Sequence, residues 1–177
     1  MPSKSSARHI TPPNRFDAAY RELSPRVFGY LRSHGVDDAE AATNDVFLAL
    51  HARFDAVVGG DEGVRTLTFS IAHARLVDFH RAKARRPTQV EFRPEADPRS
   101  APSAEDVAIS GLGGGPAALL SHLGDDQRQT ISLRVIAGLS LEETAQIMNR
   151  SVGSIKQLQR RALESLRALV ERETIDV

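Results

Sequence analysis

Between Leu139 and Leu169 the chain sets out, in order, a helix start, a short apolar helix, a turn residue and a second, longer helix. No other feature constrains its fold as tightly. Ser140-Leu-Glu-Glu143 has capping-box spacing: a hydroxyl for one orphan backbone N–H, and a carboxylate three residues on for another. Asn149 falls where a left-handed residue is wanted, and asparagine tolerates that backbone better than most residues with a side chain. Ser151 then caps the longer helix, with Ile155, Leu158, Ala162, Leu166 and Leu169 on its inner side. This is the pattern of a helix-turn-helix, which lays its second helix in the major groove of DNA. The spacing predicts Ser154, Lys156, Gln157, Gln159, Arg160 and Arg161 on the outer face. Arginine and lysine suit guanine edges, and glutamine suits adenine. Arg150 and Ser151, beside the helix N-terminus, suit phosphate contact. A lone basic amphipathic helix is more often a solvated face. Here two caps, a turn residue and an inward apolar stripe coincide.

Formal net charge is zero, from 23 basic and 23 acidic residues, but the charges come in blocks. Basic against acidic counts are six to two over residues 1–36, one to seven over 37–62, and six to one over 65–86. They are two to five over 87–115, two to four over 116–149, and six to four over 150–177. Alternating blocks point to separate surfaces for separate partners. The chain has no cysteine, which excludes disulfides and thiolate metal sites and fits a reducing cytoplasm. No apolar run is long enough to span a bilayer. The six histidines are scattered without ligand spacing, so no metal site is expected, nor any cofactor. His73, Asp78 and His80 share one helix with no convincing nucleophile or phosphate loop, and an enzyme is not expected.

The fold class expected is all-α, with two small helical domains on a flexible linker. Residues 1–13 read as a disordered polar leader without the apolar core of a secretory signal. In the first domain, residues 14–86, Asn14 caps a helix to about Leu23, and Ser24-Pro25 starts another that Gly35 stops. Asp37 to Glu40 has capping-box spacing, and Ala42, Val46, Phe47, Leu50 and Phe54 follow at helical intervals. A Gly-rich acidic break at residues 59–63 precedes a helix from about Arg65 to Ala84, with Leu67, Ile71, Ala74 and Val77 on one side and a basic end at Arg81–Arg86. Residues 87–115, acidic and rich in proline and glycine, read as the linker, with one helical turn near Ala104–Ile109. The second domain, residues 116–172, begins with a short helix over Pro116–Leu123. Asp125 or Asp126 then caps a helix with Ile131, Val135 and Ile136 inward, ending at Gly138.

From about Phe16 to Leu169 the chain resembles bacterial RNA polymerase sigma factors of the extracytoplasmic-function (ECF) type, in the sigma-70 family. Asp38-Ala-Glu-Ala-Ala-Thr-Asn-Asp-Val-Phe47 is similar to the family's polymerase-binding helix. Residues 64–78 are similar to its promoter-opening segment, and Leu139–Ala145 with Ser151–Lys156 to its region 4. Leu67 stands where tryptophan is common, and Leu158 follows Gln157 where arginine is common. The resemblance implies contacts to core polymerase (the beta-prime and beta subunits) through Asp38, Glu40, Asn44, Asp45, Phe47 and Leu48. It implies minus-ten contacts through Arg65, Thr66, His73, Arg75, Arg81, Lys83, Arg85 and Arg86, with the loop Val57–Thr66 taking an extruded base. It implies minus-thirty-five contacts through Arg150, Ser151, Ser154, Lys156, Gln157, Arg160 and Arg161. An anti-sigma factor is the further partner it implies. The rival reading is a conventional helix-turn-helix regulator that does not join polymerase as a sigma subunit.

Overall fold

The computed structural model describes residues 15–85 and 116–175, and among them there are helices and turns only. The amino-terminal half holds α1 (Arg15–Ser33), α2 (Ala39–His51) and α3 (Gly60–Arg85), with a 3-10 turn at Phe54–Ala56. The carboxy-terminal half holds α4 (Pro116–Ser121), α5 (Asp125–Ile131), α6 (Leu141–Ile147) and α7 (Val152–Ile175). Helix α5 runs directly into a π turn over Ser132–Ile136. The leader, the linker, the Asn14 cap and the turn near Ala104–Ile109 lie outside the described residues.

Helix α1 is continuous where two helices were expected, with Pro25 inside it. A proline in a helix interior removes one hydrogen bond and costs about 3 kcal/mol. Leu23, Val27, Tyr30 and Leu31 are all buried along one stripe that passes over it. At about 1.5–3 kcal/mol for each such side chain, burial outweighs the proline. Gly35, at φ 73°, ends the segment as expected. In α2 the cap is Asp38, whose carboxylate accepts from the Ala41 N–H at 2.9 Å. The residue three places on is therefore Ala41. Glu40 closes no capping box and only adds a favourable charge to the first turn.

Helix α3 starts at Gly60, five residues earlier than expected, after positive φ values at Gly59 (88°) and Gly60 (63°). Gly63 is needed for a different reason: a Cβ there would stand 1.9 Å from the Val58 carbonyl oxygen. The buried face of α3 carries Val64, Thr68, Phe69, Ile71, Ala72 and Leu76, while Ala74, expected inside, is exposed. Thr68 hid this register, because a threonine reads as polar. Its hydroxyl donates back to the Val64 carbonyl at 2.7 Å, so it is buried with its hydrogen bond made.

The π turn overturns another expectation. Val135 is 70% exposed and Leu133 is fully buried. A π turn adds a residue to the helical circuit and rotates the residues after it out of the 3.6-residue register. The Ala137 N–H accordingly bonds the Ser132 carbonyl, and the Leu139 N–H bonds that of Leu133. The cap of α5 is Gly124, with Asp125 and Asp126 in the first turn.

Leu133, Ala137 and Leu139 pack into the same apolar cluster as α1, α2 and α3, joined by partly buried Ile147 and Met148. The two halves therefore meet along a seam, with α1 against the π turn and α3 against α6. A smaller cluster of Leu120, Leu123, Ile131 and Ala162 ties α4 and α5 to α7. Arg128 closes α4 by donating to the carbonyls of Leu120 (2.9 Å), Ser121 (3.2 Å) and Leu123 (2.9 Å).

Candidate nucleic-acid interface

The helix-turn-helix is built as its local signals require. The Ser140 N–H donates to the Glu143 carboxylate at 2.7 Å and the Glu143 N–H to the Ser140 hydroxyl at 3.1 Å, closing the capping box. Asn149 holds φ 52°, and the Ser154 N–H donates to the Ser151 hydroxyl at 3.1 Å. Ile155 and Ala162 are fully buried, and Leu158, Leu166 and Leu169 are half-buried behind them. Lys156, Gln157, Arg160 and Arg161 stand exposed on the opposite side, and Ser154 is half-buried at the entry turn. Gln159 is instead turned toward the π turn, where its amide oxygen accepts from Arg134 at 3.2 Å. Arg150 is exposed but pairs with Asp126 at 2.6 Å, so any phosphate must compete with a carboxylate for it. Arg160 pairs with Glu164 at 3.5 Å, an exposed contact that costs little to break.

The residues expected at the minus-ten element are not held alike. Arg75, Arg81, Lys83 and Arg85 are exposed along α3, with the Lys83 ammonium 5.8 Å from the Phe79 ring centre. Arg86 lies outside the described residues. From Thr66 to Arg85 the helix extends about 28 Å, a track for a backbone and not a point site. His73 faces inward, its Nδ1 3.0 Å from the Tyr30 hydroxyl. Burial lowers the His73 pKa and raises that of Tyr30, so both are neutral near pH 7. His73 is thus half-buried against α1, with only part of its ring left at the surface. Arg65 is half-buried beside Glu62 at 3.5 Å. The Thr66 hydroxyl lies 3.0 Å from the Glu62 carbonyl and also meets the Glu143 carboxylate from the other half of the chain. The expected loop Val57–Thr66 is mostly the first turns of α3.

On α2, Asp38, Glu40, Asn44 and Asp45 are exposed, and Leu48 is 70% exposed. Phe47 is 3% exposed, with its ring edge against Phe16 (6.5 Å) and Tyr20 (4.7 Å). It belongs to the core and cannot meet a partner surface directly, which corrects its place in that set. The remaining five form an acidic face carrying one exposed leucine.

Residues 119–168 match the family described as sigma-70, region 4. The ECF RNA polymerase sigma factor SigK of Mycolicibacterium vanbaalenii is 31% identical over 162 residues, which cover 86% of this chain and 80% of SigK. The chain belongs to the ECF RNA polymerase sigma factors. Another such sigma factor, ShbA of Streptomyces griseus, is 36% identical over 107 residues, 58% of this chain, and the chain spans only 56% of the length of ShbA. The sigma factor RpoE of Bartonella quintana, solved in complex with the anti-sigma factor NepR, shares the fold. Its TM-score is 0.65 at 21% identity, covering 88% of this chain and 96% of that one.

Two features of this sigma-factor chain had no sequence signal. Glu143 reads as a capping residue, yet it also reaches Thr66 across the seam. Burial raises its pKa, and the bonds from Thr66 and Ser140 with the nearby Arg65 charge outweigh this and lower it, so it stays ionised. His34 is 4% exposed, and its Nδ1 donates to the Tyr30 carbonyl at 2.7 Å. That bond fixes the neutral tautomer with a bare Nε2, which has no hydrogen-bond partner among the described residues.

Proposed function

We propose that this chain directs bacterial RNA polymerase core to specific promoters and assists their opening, without being an enzyme itself, and that an anti-sigma factor controls it in the cytoplasm. The observation that carries the reading is an open recognition helix on a doubly capped helix-turn-helix, in one chain with a separate acidic face on α2. Lys156, Gln157, Arg160 and Arg161 read the minus-thirty-five element from the major groove, with Arg150, Ser151 and Ser154 at the helix start. Arg75, Arg81, Lys83 and Arg85 track the backbone beside the minus-ten element, and Arg65 and Thr66 stand where the strand separates. Asp38, Glu40, Asn44, Asp45 and Leu48 meet core polymerase, and their charge steers a basic partner face into register. Family membership supports the polymerase partner. RpoE bound to NepR supports the anti-sigma partner, in a chain in which no described helix is long and apolar enough to cross a membrane.

The test is run-off transcription with purified core polymerase on a library of promoter-length fragments. The expected result is initiation at a small set of sites that core alone does not use. Core with this chain starting no more selectively than core alone sinks the reading and leaves a conventional helix-turn-helix regulator.

A further inference from the structure

Gln159 breaks the pattern of the recognition helix. Lys156, Gln157, Arg160 and Arg161 around it stand in solvent, while Gln159 is half-buried and its amide oxygen accepts from the Arg134 Nε at 3.2 Å. Arg134 belongs to the π turn and is itself half-buried. Its Nη1 donates to the Leu139 carbonyl, one residue before the Ser140 cap that starts α6. One guanidinium therefore joins the π turn, the entry to α6 and the middle of α7. The guanidinium is planar and its donors keep a fixed fork, so its two acceptors are fixed relative to each other. The rest of the inner side of α7 is apolar, with Ile155 and Ala162 fully buried and Leu158 and Leu166 half-buried. Apolar contact is non-directional and does not by itself fix how far a helix is rolled about its axis.

We propose that Arg134 is a positioning residue for promoter reading: acting through Gln159, it sets the roll of α7 at which Lys156, Gln157, Arg160 and Arg161 meet base edges. This role rests on the sigma-factor reading and deepens it, by naming what fixes the promoter specificity. A helix with its side chains is about 10–12 Å across, so a roll of about 15° carries a side-chain tip about 1.5 Å. Hydrogen bonds to base edges hold only over about 2.7–3.2 Å. Charge attraction to phosphates tolerates such a shift and carries no sequence information. Loss of the fork therefore lowers discrimination between right and wrong sequences and leaves non-specific binding in place. A merely structural role would lower both together.

The test uses holoenzyme assembled from the full chain and core polymerase, with a pool of randomised promoter-length duplexes. The parent supplies its most enriched duplex. Discrimination is the retention of that duplex over the same duplex with single base changes in its upstream motif, and retention of the unselected pool measures non-specific binding. Arg134→Met removes both donors and keeps a long stem. It should lower discrimination about tenfold, the scale of one good base contact, with retention of the unselected pool and its salt dependence unchanged. Gln159→Met removes only the acceptor and should cost about threefold, and the double variant should lose no more than Arg134→Met alone, because the two residues act as one unit. Additive losses would make Gln159 a base contact of its own and overturn the proposal. Arg134→Lys keeps the charge without the fork and should recover less than half of the loss; full recovery overturns the fork. Equal falls in specific and non-specific retention overturn the positioning role. Should Arg134→Met lose the parent's helical circular dichroism, Gln159→Met decides, and unchanged discrimination there defeats the proposal. A parent holoenzyme that enriches no sequence beyond core alone sinks the sigma-factor reading and this role with it, a result that no comparison among variants can mimic.

Discussion

The recognition helix holds Lys156, Gln157, Arg160 and Arg161 in solvent, while the amino-terminal half sets half-buried His73 against Tyr30 and engages Thr66 with Glu143. Both helices are basic and both carry apolar residues at helical spacing. The difference lies in what surrounds them. Helix α7 packs its inner side on α4, α5 and α6, so its far side is free. Helix α3 is wedged between α1, α2 and α6, and its polar residues in that contact zone serve the fold first. A basic helix is thus a ready surface only where its neighbours all lie on one side of it.

The harshest way to break this comparison is Phe69→Ala. Phe69 is fully buried with its ring edge on Tyr30, and the cavity should cost about 3–5 kcal/mol. If the seam couples the halves, one cooperative denaturant transition moves down as a unit. If they are independent, a separate transition for the helix-turn-helix stays in place.

A pH series probes the same seam. Burial, with help from the charge of Arg128, pushes the His34 pKa down from 6.5 to about 4, against the opposing bond to the Tyr30 carbonyl. His34 shares a small cavity with His80 and Arg81 of α3 and with Asp125 and Arg128 of α5. The unfolded chain protonates His34 near its ordinary value and the folded chain only near the lowered one. Its contribution is therefore complete above about pH 6.5, shrinks as pH falls toward 4, and changes no further below that. The total is about 3 kcal/mol. Urea midpoints measured at pH 7 and pH 4.5 should differ much less in a folded His34→Gln variant than in the parent.

On the open side, Arg160→Ala should weaken binding to the cognate promoter by about 1–3 kcal/mol and leave the melting temperature within error. Promoter footprints and transcription at parental levels would remove Arg160 from the reading surface. Tyr30→Phe is the counterpart on the closed side. It deletes the hydroxyl opposite His73 and should cost about 1 kcal/mol of stability with promoter binding unchanged. Together the two variants separate a residue that reads from a residue that holds.

Much of the architecture was legible because its signals are local. The capping box at Ser140, the left-handed Asn149 and the Ser151 cap each depend on a few neighbouring residues, and each is present. Misreadings occurred where distant burial overrode a local cue. Pro25 signals a helix start, yet a stripe of four buried residues carries α1 through it. Val135 has the right spacing for a core position, yet the π turn rotates it outward in favour of Leu133. Thr68 and Thr43 look polar, yet each donates to the carbonyl four residues back and is buried. Phe47 matches a family motif used for contact, but in this chain it is buried, and His73 is half-buried against Tyr30.

By itself, the sequence determined the helical content, the caps, the helix-turn-helix and the acidic and basic blocks, because spacing, turn chemistry and charge act within a few residues. Only the tertiary structure decided which basic residues remain free and that Leu133, Ala137 and Leu139 join the other half's core. It also decided that Glu143 is shared between a helix cap and Thr66. Those outcomes rest on burial and on hydrogen bonds between groups as far apart as Thr66 and Glu143, and no local pattern encodes which distant surface a side chain will meet.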